Sequence, residues 1–108
     1  MTNRTDIEQK RAKAAFYMAK EVDEKYVLKL PAMIRVNGIG NAILFAKTGS
    51  GDWSKLYNKL DAYFRDDKKL YSDGDLMSYV LKANDYQLKS LTNELIAFLN
   101  WLRRFVKS

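Results

Sequence analysis

The sequence predicts an all-α protein, a compact bundle of five to six helices that forms one domain over residues 1–108. Proline occurs once and glycine five times, which argues against the many tight turns of a β architecture. Apolar residues recur at helical spacing along most of the chain. Hydrophobic residues make up 47% of the sequence, which is enough for one modest core in a chain of 108 residues.

A first helix is expected from Thr5 to about residue 23 or 25. Thr5 and Glu8 have the spacing of a capping box, in which the threonine caps the helix N-terminus. Apolar side chains at helical spacing predict the face turned to the core, which consists of Ile7, Ala14, Ala15, Met18 and Val22.

The segment that follows has the apolar pattern of a buried helix face. Pro31 is expected either to kink this helix or to begin a new first turn, because an interior proline loses a backbone hydrogen bond. Asn37 and Gly38 both tolerate left-handed backbone and predict a break. Another helix is expected over 39–47, and residues 48–52 are expected to form a flexible loop.

Two more helices are predicted over 53–66 and 75–82, joined by a polar surface connection. The inner face of the first is expected to contain Trp53, Leu56, Tyr57, Leu60, Tyr63 and Phe64. The inner face of the second is expected to contain Leu76, Met77, Val80 and Leu81. Lys69 and Leu70 stand where a calcium-binding loop needs oxygen ligands, which argues against a calcium site. The aspartates of the connection are therefore expected to cap helices.

The last helix has the clearest pattern. Asp85 is expected to cap it, and basic residues near its C-terminus lie where cations stabilise a helix dipole. Glu94 and Trp101 lie at the edges of the apolar face, and the expected role of Glu94 is a hydrogen bond or ion pair to a neighbouring helix. One apolar stripe continues for nearly five turns through Leu88, Leu91, Leu95, Phe98, Leu99, Leu102 and Val106.

The composition argues against catalysis. The chain has no cysteine and no histidine, which excludes thiolate nucleophiles, zinc fingers and the commonest general base. We therefore expect no enzyme activity, no catalytic residue, no metal, no cofactor and no small-molecule substrate. The apolar runs are far shorter than a membrane span, and the chain starts in a charged helix pattern, so we expect a cytoplasmic protein without membrane contact.

One stripe of the first helix has the residue types of a nucleic-acid interface. Lys10, Lys13, Tyr17 and Lys20 share a narrow arc beside the apolar face, and Arg11 adjoins it. Lysines around a partly exposed aromatic side chain suit a phosphate backbone with occasional base stacking. A net charge of +6 also favours a polyanionic partner. A solvated lysine face explains the same pattern equally well.

Three stretches of the chain resemble a known family. The first is Gln9-Lys10-Arg11-Ala12 with Ala15. The second is Leu30-Pro31-Ala32-Met33-Ile34 with Asn37-Gly38-Ile39-Gly40. The third is Tyr86, Thr92, Glu94, Phe98-Leu99 and Trp101-Leu102-Arg103-Arg104-Phe105. In order and spacing they resemble the small, all-helical subunit of the type III-B (Cmr) CRISPR RNA-targeting effector complex.

The resemblance implies a structural subunit without catalysis, used in antiviral defence. In that family several copies stack beside the backbone subunits and line the channel where target RNA pairs with the guide RNA. The implied partners are the backbone subunits, the large subunit, further copies of the chain and the guide RNA–target RNA pair. The lysine stripe would contact target RNA without reading its sequence, because base pairing reads it. The second choices for RNA contacts are Arg35, Lys47, Arg103, Arg104 and Lys107.

The residues alone leave other functions open. The alternative is a free-standing basic helical protein that binds RNA or DNA tightly by itself, with a steep dependence on salt. A third reading is a helical adaptor, whose basic residues add only solubility and whose association is independent of ionic strength. An enzyme comes last, for want of the usual catalytic side chains.

Overall fold

The computed structural model describes residues 4–106, which contain five helices and no strand. The all-α prediction is therefore confirmed over this part of the chain. Helix α1 ends in a 3₁₀ turn over Ala19–Glu21, and helix α3 continues into a π-helical turn over Tyr63–Asp67. The helices are α1 (Arg4–Met18), α2 (Glu24–Thr48), α3 (Trp53–Ala62), α4 (Leu76–Lys82) and α5 (Asp85–Val106).

The apolar faces of the helices meet in one core. Helix α1 packs against α5, and α2 packs against α3, α4 and α5. The largest fully buried side chains include Phe64 on the π turn, Phe98 on α5 and Leu30 on α2. The Cα radius of gyration is 13.1 Å, close to the ~13 Å of a compact chain of 100 residues.

Most of the predicted inner faces are confirmed. All six apolar side chains predicted for α3 and its extension are buried, and so are the central residues of the α5 stripe. Two residues are exceptions, because Ile7 is exposed on α1 and Leu81 is 75% exposed on α4. Helix α4 turns Leu76, Met77 and Val80 inward, and Leu81 lies about 90° around the helix from the middle of that face.

Helix α2 is broken at Gly38, as the sequence predicts. Gly38 has φ 83° and ψ 161°, a region of backbone conformation that is essentially reserved for glycine. The side-chain amide of Asn41 donates to the carbonyl oxygen of Asn37 at 3.0 Å and so spans the break. Helical backbone continues through Pro31, so this proline does not begin a new helix.

Two predicted N-caps are wrong. Helix α1 already includes Arg4, so Thr5 lies inside its first turn instead of capping it. The cap of α5 is Asn84 and not Asp85, which is itself helical. The Asn84 side chain accepts from the Gln87 backbone N–H at 2.8 Å, and the Gln87 side chain accepts from the Asn84 N–H at 2.9 Å. This reciprocal pair satisfies two donors, which a cap at Asp85 would not do.

The N-terminus of the short helix α4 is held by side chains. Its first three backbone N–H groups donate to the Asp61 carboxylate at 2.9 Å, the Tyr57 hydroxyl at 3.0 Å and the Asp75 carboxylate at 3.1 Å. The Tyr57 hydroxyl donates in turn to Asp75, and the Tyr71 hydroxyl donates to Asp61 at 2.6 Å. The predicted capping role of an aspartate is thus confirmed at Asp75, and α3 is tied to α4 through polar contacts.

Candidate nucleic-acid interface

A groove of about 600 Å³ lies between α1 and the turn that follows α3. Helix α1 supplies most of its wall, because residues 10, 13 and 17 recur about one turn apart and face the same side. The opposite wall comes from the π turn and from Lys68. The groove is lined by Ile7, Lys10, Arg11, Lys13, Ala14, Tyr17, Tyr63, Asp67 and Lys68.

The groove is basic around one exposed aromatic ring. Tyr17 is 60% exposed, and Lys10 and Lys13 are exposed beside it. Within residues 4–106, no carboxylate lies at ion-pair distance from either of these two lysines. Lys68 adds a third ammonium group, 3.6 Å from a carboxylate oxygen of Glu94. Two cations of the predicted stripe and its tyrosine are therefore brought together.

Arg11 is turned towards the bundle. Its Nε donates to Glu94 Oε2 at 2.9 Å and its Nη2 donates to Glu94 Oε1 at 2.8 Å, while Nη1 donates to Glu8 at 2.8 Å. The Tyr63 hydroxyl donates to the same Glu94 carboxylate at 3.0 Å. The predicted ion pair of Glu94 is thus confirmed. Because its donors are committed to carboxylates, Arg11 is left out of the candidate interface.

The pKa values of this cluster follow from burial and hydrogen bonding. Burial raises the pKa of the Tyr63 phenol above its usual value, and the Glu94 charge adds to this. Burial also acts to raise the pKa of Glu94, but hydrogen bonds from Arg11 and Tyr63 outweigh it, so the pKa lies below its usual value. Glu94 is therefore ionised and Tyr63 neutral at neutral pH.

Lys20 belongs to a different surface. Its Nζ lies 5.2 Å from the ring centroid of Phe16, which meets Phe105 edge to face at 5.4 Å. Phe105 stacks on Trp101 at 6.0 Å, and the guanidinium of Arg104 lies 5.1 Å from the Trp101 ring. These five side chains form an aromatic strip from α1 to α5, with a cation at each end. Trp101 is half-buried at the flank of the core, whereas its position in the stripe left open a core edge or a protein–protein patch.

Three further candidate cations that the structure describes do not line the groove. The Lys47 ammonium lies 2.8 Å from the Asp75 carboxylate, next to the start of α4. Arg35 is exposed on α2 and Arg103 is exposed on α5. Lys107 lies outside the residues that the structure describes.

A second depression, on the other side of Tyr17, is lined by several carboxylates. Its lining includes the carboxylates of Glu21, Asp66 and Asp67, together with Lys59. The Lys59 ammonium pairs with Glu21 at 2.7 Å and the Arg65 Nε lies 3.4 Å from Asp66, while Asp67 lines both this depression and the groove. The Tyr17 ring therefore stands between the exposed lysines of the groove and a depression richer in carboxylates.

Sequence reasoning missed Lys68, Asp67 and Tyr63 as parts of the groove. Their local pattern predicted a core tyrosine followed by a polar connection, and no periodicity relates them to α1. They reach α1 because Phe64 and Tyr63 anchor the π turn in the core beside α5. Their position opposite α1 depends on packing between residues far apart in the sequence.

Neither a cluster of metal ligands nor a membrane-spanning helix occurs within residues 4–106. Within residues 4–106, no three acidic, histidine or cysteine side chains lie close enough together to hold a metal ion. Across the same described residues, no helix combines the length and the apolar character that crossing a membrane requires.

Comparison with known proteins gives one family. A family model described as CRISPR-associated protein (Cas_Cmr5) matches residues 7–108. The match includes all of α2 to α5 and most of α1, and with them every residue that lines the groove. No curated protein matches the chain.

Proposed function

The chain belongs to the family of CRISPR-associated Cmr proteins (Cas_Cmr5), and from that premise we propose that it is a non-catalytic subunit that helps a type III-B ribonucleoprotein to bind target RNA. In this proposal several copies stack beside the backbone subunits, along the channel where guide RNA pairs with target RNA. The family membership supports the assembly part of the proposal. The groove beside α1 supports the RNA-binding part.

The observation that carries the RNA-binding part is the position of Lys10 and Lys13 beside Tyr17. Both ammonium groups are exposed on one side of α1, and Lys68 stands across the groove. Lysine side chains that contact phosphates fix a nucleic acid in place without reading its sequence. Such contacts suffice in a guided complex, because base pairing with the guide supplies the specificity.

The protonation states in the groove support a role without catalysis. A general acid or base works best when its pKa lies near the working pH. In the groove the pKa of Tyr63 is raised and that of the adjoining Glu94 is lowered, which moves both groups away from neutrality. Their hydrogen bond joins the π turn to α5, and the Arg11 ion pair joins α1 to α5.

The RNA-binding part is tested by charge reversal in the assembled complex. Lys10→Glu with Lys13→Glu should weaken the binding of target RNA at ~150 mM salt. It should also lower the slope of log affinity against log salt concentration by about 1 for each phosphate contact that is lost. The matched control is Lys29→Glu with Lys89→Glu, which changes the net charge equally at two exposed lysines of α2 and α5. Equal effects of the two double variants would refute a specific interface on α1.

The assembly part is tested by native mass spectrometry of the tagged protein, drawn from its own cells at low salt. Several copies of the chain together with larger subunits and a guide RNA are the expected result. A lone monomer would refute the assembly and favour the free-standing nucleic-acid-binding protein.

A further inference from the structure

We infer that the groove beside α1 is a subsite for one unpaired ribonucleotide, whose base stacks on Tyr17 and whose phosphates lie on Lys10 and Lys13. The inference rests on the proposed function and adds the substrate class, which is single-stranded RNA at this position. It is carried by the shape of the groove, the exposure of the ring and the distribution of charge around it.

The shape of the groove suits a small ligand, such as a single nucleotide, better than the sugar-phosphate backbone of a duplex. Its volume of about 600 Å³ falls within the ~300–1,000 Å³ of ordinary ligand pockets. Phosphate contacts along a duplex need only a flat basic surface. Apolar side chains of Ile7 and Ala14 also line the groove, and they give a heterocyclic base an apolar surface to contact.

The Tyr17 ring is accessible and contacts one neighbouring ring. It meets the ring of Phe16 edge to face, with centroids 5.5 Å apart and planes at 74°. More than half of the Tyr17 side chain is nevertheless exposed to solvent. An exposed aromatic ring is the platform on which proteins stack the bases of single strands. The bases of an A-form duplex are stacked on one another, so their faces are closed to such a ring.

The charges around Tyr17 orient the nucleotide. Lys10 and Lys13 attract its phosphates on one side of the ring. On the other side the depression is lined by Asp66, which pairs with Arg65, and by Asp67, so the lysine side is the more favourable place for a phosphate. The base itself is uncharged and is the part of the nucleotide that can lie against Tyr17. A bound strand is therefore expected to place its phosphates towards the N-terminal half of α1 and a base at Tyr17.

The test is an NMR titration of the full chain at ~50 mM salt, a concentration at which phosphate contacts are strong. The probes are hexa-adenylate and, separately, a short RNA duplex. Stacking should shift the Tyr17 ring protons upfield with hexa-adenylate and leave them in place with the duplex. The comparison of spectra of the parent chain and of Tyr17→Phe assigns these protons.

Variants make the test quantitative. Tyr17→Leu should raise the dissociation constant for hexa-adenylate by about 5-fold or more and leave that for the duplex unchanged. Tyr86→Leu is the matched control, since Tyr86 is 81% exposed on α5 and lies outside the groove. Lys10→Gln with Lys13→Gln should weaken the binding of both RNAs.

The outcomes separate this inference from the proposed function. If Tyr17→Leu binds both RNAs as the parent does, or loses affinity for both to the same extent, the subsite is overturned. If the lysine variant is still weakened in that case, the proposed function stands. If the lysine variant binds both RNAs normally, the proposed interface fails and the subsite fails with it.

Discussion

Arg11 and Glu94, which are 83 positions apart in the chain, join the first and last helices through two parallel hydrogen bonds of 2.9 and 2.8 Å. Their side chains are only 12% and 16% exposed. Such a bidentate pair fixes both the distance and the rotation of one helix relative to the other. Together with the burial of Ala15 and Met18, it holds α1 in the rotation that presents Lys10 and Lys13 to solvent.

Breaking this pair should destabilise the protein. Arg11→Met leaves the Glu94 carboxylate partly buried without its main partner, and we expect the free energy of unfolding to fall by about 3 kcal/mol. Glu94→Gln should act in the same direction. The double variant should lose little more than either single variant, because both remove the same interaction. Urea denaturation measures all three.

The control for the Arg11–Glu94 pair is Glu8→Gln. Glu8 accepts from the same guanidinium at 2.8 Å but is exposed, so its loss should cost less than about 1 kcal/mol. If the combined variant Arg11→Met with Glu94→Gln loses as much free energy of unfolding as the two single variants together, a direct coupling of Arg11 with Glu94 is contradicted.

Acid should weaken the fold through Asp75 and Glu94. Hydrogen bonds from Lys47 and Tyr57 hold the pKa of Asp75 well below its ordinary value of 3.8, and the pKa of Glu94 lies below 4.5. Above those ordinary values the stabilisation is complete. As the pH falls below the ordinary pKa values, the two carboxylates bind protons in the unfolded chain but stay ionised in the folded chain. The free energy of unfolding therefore decreases. Urea midpoints from about pH 7 to about pH 3 should fall, and should fall less steeply in Asp75→Asn.

Alkali should weaken the fold through three tyrosines. Burial, with hydrogen bonds or charges of neighbouring carboxylates, raises the pKa of Tyr57, Tyr63 and Tyr71 above the ordinary value of 10.0. The stabilisation is complete below that value and is lost above it, because the unfolded chain then releases phenolic protons that the folded chain retains. In an alkaline titration, tyrosinate absorption from these residues should appear together with the loss of helical circular dichroism. Tyr71→Phe should remove one tyrosine from that shared step, and ionisation of all three before any loss of helix would contradict their burial.

Alanine substitutions at two glycines of α2 should change the free energy of unfolding in opposite directions. Gly38→Ala should cost about 1–3 kcal/mol, because φ 83° is strained for any side chain even though nothing crowds the added Cβ. Gly40→Ala should stabilise by about 0.5–1 kcal/mol, since this residue is helical and its Cβ would meet Val80 at an ordinary 3.8 Å. Thermal unfolding of both variants measures the difference. A stabilised Gly38→Ala would mean that α2 is not broken there.

The sequence predicted the helices and most of the core because their signals are local. Periodicity located α3 and α5 almost to the residue, and the pair Asn37-Gly38 located the break in α2. Leu81 was misplaced because a helix of two turns has too few apolar positions to define the centre of its buried face. The cap at Asn84 was misplaced by one residue because Asn84 and Asp85 are both good caps, and only the partner Gln87 decides between them.

The candidate site was predicted only on the α1 side. Spacing placed Lys10, Lys13 and Tyr17 on one arc, and this is a local property of a helix. Arg11 was grouped with them because sequence shows the charge of a side chain but not the carboxylate it meets on a distant helix. Lys68 was missed for the same reason, since its approach to α1 depends on how the π turn packs.

Helix α4 has consequences for how the protein opens. Seven residues are too few for a helix to persist alone in water, and the acceptors for its first two backbone amides are Asp61 and Tyr57 of α3. Those amides can exchange with solvent only when the contacts to α3 separate, so in a hydrogen-exchange experiment they should follow α3. We therefore expect the start of α4 and the adjoining part of α3 to open together, with the polar contacts between them broken in the same step.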